Sequence, residues 1–168
     1  MNDSIDVVRE QWHAILPDID TEPLAIVGRI RVLAHMIQAR SDSVLAKHGI
    51  TRAEFDILSL LVRTAKSMSP SEIATTSLTS QPGTTKRLKK LIASGFVVRT
   101  VNPRDGRSAF VHPTDKAQEV LAPALNSISA YESELLSAMS PQSRDVLVRH
   151  LRELMIVVEG PAQTADIS

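Results

Sequence analysis

The chain has 168 residues, no cysteine, and equal numbers of acidic and basic side chains, 19 of each. This length suits one ordinary domain or a domain with an oligomerisation extension, and the lack of cysteine excludes disulfides and cysteine-ligated zinc. No N-terminal apolar run resembles a secretory signal, and no stretch approaches the roughly 20 apolar residues of a membrane span. We therefore expect a soluble, cytoplasmic protein with no membrane partner.

The charges are unevenly distributed along this neutral chain. Residues 80–107 carry seven basic side chains and a single acidic one, Asp105, whereas residues 1–23 carry six acidic side chains and a single basic one, Arg9. A local basic block on a neutral protein is typical of a chain that binds a specific anionic partner.

Two helices are predicted in the first fifty residues. Apolar residues recur at spacings of three and four over residues 3–16, which indicates a short amphipathic helix containing the single tryptophan, Trp12. Pro17 ends this helix and a turn follows to Pro23. A second and longer helix is predicted over residues 24–47 and is stopped by Gly49.

A helix-turn-helix is predicted from residue 51 onward. Thr51 and Glu54 form a Thr-x-x-Glu capping box that begins a helix reaching about Thr64. Ser69 and Glu72 form a second capping box, with a proline at the first helical position, and begin a short helix. A brief turn then leads to a basic helix, and two helices in this arrangement are typical of DNA-binding proteins.

The basic helix over residues 80–95 is the candidate recognition helix. A small hydroxyl residue begins it, Leu88, Leu91 and Ile92 mark a buried face, and Gly95 ends it in a left-handed conformation. Short polar donors followed by basic residues suit the major groove. The predicted DNA contacts are Ser80, Gln81, Thr84, Thr85, Lys86 and Lys89. The alternative is a solvated amphipathic helix with a basic face.

A β-hairpin is predicted directly after the recognition helix. Two β-rich runs, residues 96–101 and 109–111, flank Asn-Pro and Asp-Gly turn signals. A hairpin in this position is the wing of a winged helix. We expect Arg107 to enter the minor groove, supported by Asp105, with Arg104 near a phosphate. The alternative is a plain solvated loop.

Two further helices are predicted at the C-terminal end. Thr114 is expected to cap the first, which reaches about Met139 and contains Pro123, a residue that predicts a kink or a break. The second begins at Ser140-Pro141 and ends at Gly160. The apolar stripes of the terminal helices are broader than a small winged domain can cover, so we expect a homodimer on a palindromic operator.

This order of elements resembles the MarR family of bacterial transcriptional regulators. The resemblance rests on four stretches, residues 51–61, 69–74, 80–99 and 102–114, the last including the wing signature Asp105-Gly106-Arg107-Ser108. It implies a mainly α fold with a small β-hairpin wing, in which a winged helix-turn-helix joins a helical dimerisation region. The implied parts are an extra helix and turn (1–23), the dimerisation region (24–50 and 114–160), the DNA-binding lobe (51–113) and a tail (161–168).

The extra first helix is similar to that of the urate-responsive, PecS-like subfamily. The resemblance implies a ligand site built from Trp12, Asp56, Arg87 and Arg99, which follow that subfamily's order of Trp, Asp, Arg and Arg. It implies double-stranded DNA as the partner and a small planar anion, urate or similar, that relieves repression. The alternative is a winged-helix DNA-binding or interaction module without ligand response, in which Asp56 and Arg87 form a structural salt bridge.

Other classes of function are poorly supported by the sequence. The five histidines form no His-x₃-His pair, so a zinc sensor is not favoured and no metal site is assigned. There is no Gly-rich phosphate loop and no nucleophile elbow, so we predict neither an enzyme nor a cofactor.

Overall fold

The computed structural model describes residues 2–77, 79–102 and 105–160, with the side chains of residue 102 and of residues 105–108 excepted. This part of the chain contains seven α-helices and one two-stranded sheet. The elements are α1 (Ser4–Ile15), α2 (Glu22–Leu45), α3 (Arg52–Thr64), α4 (Pro70–Thr76), α5 (Gln81–Ala93), β1 (Val97–Asn102), β2 (Asp105–Pro113), α6 (Asp115–Leu136) and α7 (Pro141–Glu159). The mainly α fold class with a β-hairpin is confirmed. No helix in the described ranges is long and apolar enough to span a membrane.

Two ion pairs join the start of the added helix α1 to α2. Asp3 caps α1 through a capping box with Asp6, and Arg29 of α2 reaches both carboxylates, at 2.8 and 2.6 Å. Hydrogen bonds from Arg29 are the main cause that holds the pKa of Asp3 and of Asp6 below the usual range. Ile5 is the buried residue of this helix and lies against Gly28. The predicted apolar stripe of α1 is otherwise largely exposed.

One apolar core joins residues 51–113 to the end of α2 and the N-terminal half of α6. Both predicted capping boxes are present, so Thr51 begins α3 and Ser69 begins α4, while the Ser80 side chain accepts a hydrogen bond from the Gly83 amide at the start of α5. Gly95 follows α5 at φ 74°, a conformation that suits glycine. The largest fully buried apolar side chains of this core are Leu45, Ile57, Leu58, Leu61, Ile73, Leu91, Val97 and Val111.

The hairpin is longer than the sequence predicts. Its antiparallel register pairs Val97 with Pro113 and Val101 with Ala109, and it shifts between Val101 and Asn102. Met68, in the loop before α4, also exchanges backbone hydrogen bonds with Val111, at 3.3 and 2.9 Å. The base of the hairpin is therefore tied to the helix-turn-helix.

Two predictions concern α6. The Thr114 hydroxyl donates to the Gly95 carbonyl at 2.8 Å and lies 3.2 Å from the Phe96 carbonyl, just after α5, and its role as the cap of α6 stays a prediction. Pro123 does not break the helix, which continues from Asp115 to Leu136. Ser127 donates a hydrogen bond to the Pro123 carbonyl at 3.0 Å, within the same helical segment.

The chain divides into two compact units between Ile128 and Ser129. In the second unit, α7 begins at a Ser140 cap followed by Pro141, as predicted. None of its residues is buried, although it carries a run of large apolar side chains. These are Val146, Leu147, Val148, Leu151, Leu154, Met155, Ile156, Val157 and Val158.

Candidate functional site

The recognition helix α5 presents three different faces, because successive residues turn by about 100° around a helix axis. The outer face borders a shallow groove of about 520 Å³, lined by Gln81, Pro82, Thr85, Lys86 and Lys89. The second face, which we call the cleft face, borders another hollow. The third, the core face, is buried in the lobe. The side chains of the outer-face residues, and Ser80, are exposed and available to a partner.

Thr84 belongs to the core face, which corrects the prediction that it contacts DNA. It is fully buried, and its hydroxyl lies 2.7 Å from that of Thr79. The spacing explains the placement, because Thr84, Leu88 and Leu91 follow one another at four and three residues and so share a side of the helix. Thr84 is the polar residue of this set, and its hydroxyl forms a hydrogen bond with Thr79 inside the protein.

The predicted wing residues are only partly located. Asp105 and Arg107 lie in β2, where Asp105 pairs with Asn102, but their side chains are outside the described part of the structure. Arg104 lies outside the described residues. The assignments of Arg104, Asp105 and Arg107 to DNA binding and wing support therefore stay predictions.

The second hollow is a cleft of about 720 Å³ whose charges are divided between its walls, and we call it the charge-divided cleft. The α5 wall contributes three cations, Lys86, Arg87 and Lys90, with Gly83. The opposite wall, from α2 and α3, contributes three carboxylates. The full opposite lining, with the turn before α5, is Gln38, Asp42, Thr51, Ala53, Glu54, Asp56, Ile57, Ser77 and Thr79.

Arg87 is half-buried in this cleft and lies back along α5 over Gly83. A Cβ atom added at Gly83 would meet an Arg87 guanidinium nitrogen at 2.8 Å. Within the described ranges, Arg87 has neither an ion pair nor a hydrogen bond. A guanidinium in a cleft without a bound carboxylate has its donors free for an anionic ligand.

Asp56 shares the cleft with Arg87 but pairs with another arginine. Its carboxylate accepts a hydrogen bond from Arg52 Nε at 2.9 Å, one turn earlier on α3. The Asp56–Arg87 salt bridge considered as the alternative is therefore not formed. The i,i+4 spacing on one helix makes the local partner accessible without any tertiary contact.

Trp12 and Arg99 do not line the charge-divided cleft. Trp12 lies on α1 with its residue surface 46% exposed, and Arg99 is exposed on β1. The structure thus brings together two of the four predicted ligand residues, Asp56 and Arg87. The roles of Trp12 and Arg99 stay predictions.

One pair in the cleft was missed by the sequence analysis. Glu54 is 3% exposed, and its Oε1 atom lies 2.8 Å from the Lys90 ammonium on α5. Its Oε2 atom accepts the Thr51 backbone N–H, also at 2.8 Å. Burial raises the pKa of Glu54, but the hydrogen bonds from Lys90 and Thr51 together outweigh burial and leave the pKa below its usual value. Glu54 is therefore ionised at neutral pH.

No group of three potential metal ligands lies together among the described residues. Two of the histidines instead make single hydrogen bonds, His48 with Ser127 and His112 with Thr100, both at 2.9 Å.

The comparisons with known proteins agree with this architecture. The MarR family profile matches residues 48–108. The HTH-type transcriptional regulator PecS of Dickeya dadantii is 30% identical over 156 residues, covering 92% of this chain and 91% of that protein.

Two solved structures share the fold at lower sequence identity. The Staphylococcus aureus MepR–DNA complex has a TM-score of 0.71 at 17% identity and covers 79% of this chain and 97% of its own. CouR from Rhodococcus jostii RHA1, bound to p-coumaroyl-CoA, has a TM-score of 0.66 at 16% identity, with 79% and 90% covered. Together with the identity to PecS, the winged lobe and the exposed basic face of α5, these likenesses place the chain in the MarR family of DNA-binding transcriptional regulators.

Proposed function

We propose that this chain is a homodimeric repressor whose binding to operator DNA is weakened by a small planar anion bound in the charge-divided cleft. The observation that carries the proposal is the arrangement of that cleft. All three of its cations belong to the helix assigned to the major groove, and all three carboxylates belong to other helices. A ligand that binds these cations acts directly on the helix that contacts DNA.

The DNA contacts follow from the outer face of α5. In this proposal Gln81, Thr85 and Lys86 meet bases or phosphates and Lys89 meets the backbone, which is supported by the shared groove that they line. Ser80, at the helix start, is exposed beside them. Arg107 would enter the minor groove from the wing, with Arg104 on a phosphate and Asp105 as support, as the sequence predicts.

The homodimer is supported by apolar surface that the single chain leaves open. α2 exposes a run of large apolar side chains, and α7 does so along its whole length. Contiguous apolar surface of this kind is typical of an interface. A two-fold dimer would place two α5 helices about 34 Å apart, one turn of DNA, on a palindromic operator.

The ligand class follows from the chemistry of the cleft. An unpaired guanidinium beside two ammonium groups favours an anion with oxygen acceptors, and a planar anion makes parallel bonds with the arginine fork. Urate is the first candidate because the sequence contains the Trp12, Asp56, Arg87, Arg99 set of the urate-responsive subfamily. The related CouR structure, which holds p-coumaroyl-CoA, supports small-molecule binding on this fold.

One titration tests the proposal. An operator duplex is first selected from random-sequence DNA by the wild-type protein, and its release is followed by fluorescence anisotropy as urate is added, in parallel with Trp12 emission. Trp12 is the single tryptophan, so its emission reports this helix alone. We expect operator affinity to fall about 5–150-fold, the range of ordinary allosteric coupling. Light scattering of the free protein should give a dimer mass.

Salicylate and aconitate serve as comparison anions in the same assay. If neither urate nor these anions changes operator affinity or Trp12 emission, the protein is a DNA-binding module without ligand response. A monomer mass at micromolar concentration would contradict the dimer.

A further inference from the structure

The ion pair between Glu54 and Lys90 joins α5 to the start of α3. No other ion pair joins α5 to another helix in the described ranges. Glu54 is therefore both the capping residue of α3, through Thr51, and the anchor of one side of the recognition helix.

The two side chains of this pair differ in exposure and in how tightly they are held. Glu54 is held by two contacts and its side chain is 4% exposed, whereas the Lys90 side chain is 59% exposed on a flexible stem. An anion that enters the charge-divided cleft can attract the lysine but cannot displace the carboxylate. Because Lys90 lines the same cleft as Arg87, one ligand reaches both cations.

Loss of the lysine leaves a buried carboxylate without a cation. Glu54 would keep the Thr51 backbone hydrogen bond but lose the partner that offsets its desolvation, which is unfavourable for a group this deeply buried. The arrangement of α5 against α3 is then no longer the favoured one.

We infer that Glu54 is a positioning residue for the recognition helix, and that an anion in the cleft weakens DNA binding by taking Lys90 from it. This inference rests on the proposed function and adds the contact through which the ligand acts. Glu54 lines the cleft and does not line the outer groove, so its effect on DNA passes through Lys90 and α5.

The test compares wild type with Glu54→Gln, Lys90→Gln and Lys89→Gln. Glutamine at position 54 keeps an oxygen that can accept the Thr51 N–H but removes the charge that holds Lys90. Lys89→Gln is the matched control, since Lys89 is the neighbouring lysine on the outer face and does not line the cleft. Each protein is measured for operator affinity at two salt concentrations, urate affinity by isothermal titration calorimetry, and melting temperature.

We expect Glu54→Gln to weaken ligand-free operator binding about 5–150-fold, to the level of urate-saturated wild type. Urate should still bind, while its further effect on operator affinity falls below about twofold. The salt dependence of binding should stay that of wild type, because no phosphate contact is lost. Lys90→Gln should lose the urate effect in the same way. Lys89→Gln should bind DNA more weakly, with a smaller salt slope, and keep the full urate response.

Wild-type operator affinity together with a full urate response in folded Glu54→Gln would overturn the inference, and so would tighter operator binding by that variant. If Glu54→Gln does not fold, Lys90→Gln decides, since Lys90 is exposed and its loss removes the same pair. If wild type shows no response to any anion, the ligand proposal fails by itself. The positioning role then stands or falls on whether Glu54→Gln lowers ligand-free operator affinity at an unchanged salt slope.

Discussion

The outer face and the cleft face of α5 carry similar residue types but stand in different surroundings. On the outer face, Thr85 and Lys89 border an open groove with no carboxylate among its lining residues. On the cleft face, Arg87 and Lys90 look toward three carboxylates, and one of them already holds Lys90. The difference teaches that basic character alone does not define a DNA contact, because some cations of a recognition helix serve to hold the helix in place.

Lys86 connects the two faces, since it lines both the outer groove and the cleft. A residue in this position is available to DNA when the cleft is empty and to an anion when the cleft is filled. Substitution of Thr85 should therefore affect only DNA binding, and substitution of Arg87 only ligand binding. Substitution of Lys86 should affect both.

The largest effect is expected from Arg87→Gln. Removing the unpaired guanidinium takes away charge-assisted hydrogen bonds worth about 1.5–3 kcal/mol, so urate affinity should fall about 10–150-fold. Operator affinity without ligand should stay within about twofold of wild type, because Arg87 does not border the outer groove. Isothermal titration calorimetry gives the urate affinity, and fluorescence anisotropy gives the operator affinity.

Arg63→Gln is the matched control for this change. Arg63 is an exposed arginine that lines a neighbouring groove with Asp56 but not the charge-divided cleft. Arg63→Gln removes the same charge from the same part of the molecule but leaves the lining of the cleft unchanged. Urate affinity should therefore be retained. If both variants lose the same urate affinity, the anion is attracted by the overall positive charge of this region and not by the cleft.

A second comparison uses the adjacent threonines of α5. Thr85→Ala removes an outer-face hydroxyl and should weaken operator binding by about 1–3 kcal/mol while leaving the melting temperature unchanged. Thr84→Ala removes the buried hydroxyl that meets Thr79 and should lower the free energy of unfolding by about 1 kcal/mol. Operator affinity reports the first change and urea unfolding reports the second.

Thr85→Ser keeps the hydroxyl and separates a hydrogen bond from a methyl contact. If Thr85→Ala binds the selected operator as wild type does, the outer face is not the base-reading surface. If Thr84→Ala changes operator affinity at unchanged stability, Thr84 contacts DNA and is not a residue of the core.

The sequence predicts the helix-turn-helix well because its signals are local. The capping boxes at Thr51 and Ser69 place the starts of α3 and α4 to within one residue, and Gly95 ends α5 through its positive φ. These features depend on hydrogen bonds between residues three or four apart, which periodicity and residue type reveal.

The cleft is less predictable because its contacts join distant segments. The Asp56–Arg52 pair is local and could have been read from the i,i+4 spacing, and Thr84 could have been placed in the core from its spacing to Leu88. The Glu54–Lys90 pair, in contrast, depends on how α3 packs on α5, and nothing local selects Lys90 over Lys89 as the partner.

The smallest effect concerns acid stability of the cleft. The folded pKa of Glu54 is lowered relative to the unfolded chain, so its carboxylate adds stability above the unfolded pKa of about 4.3. That contribution is lost as the pH falls from about 4.3 through the lowered folded pKa. Urea unfolding at pH 7 and at progressively lower pH should show a smaller acid loss in Glu54→Gln than in wild type.

Glu72→Gln is the control for this acid dependence. Glu72 is the other capping-box glutamate, and its pKa is lowered chiefly by the Ser69 backbone hydrogen bond, with no cation involved. Both variants should lose part of the acid dependence, but Glu54→Gln alone should also lose part of the operator affinity at neutral pH. If the acid profile of Glu54→Gln matches wild type, the carboxylate does not stabilise the lobe in its charged form. The cleft face of α5 would then be held by apolar packing alone. The two faces of α5 would differ only in how exposed their side chains are.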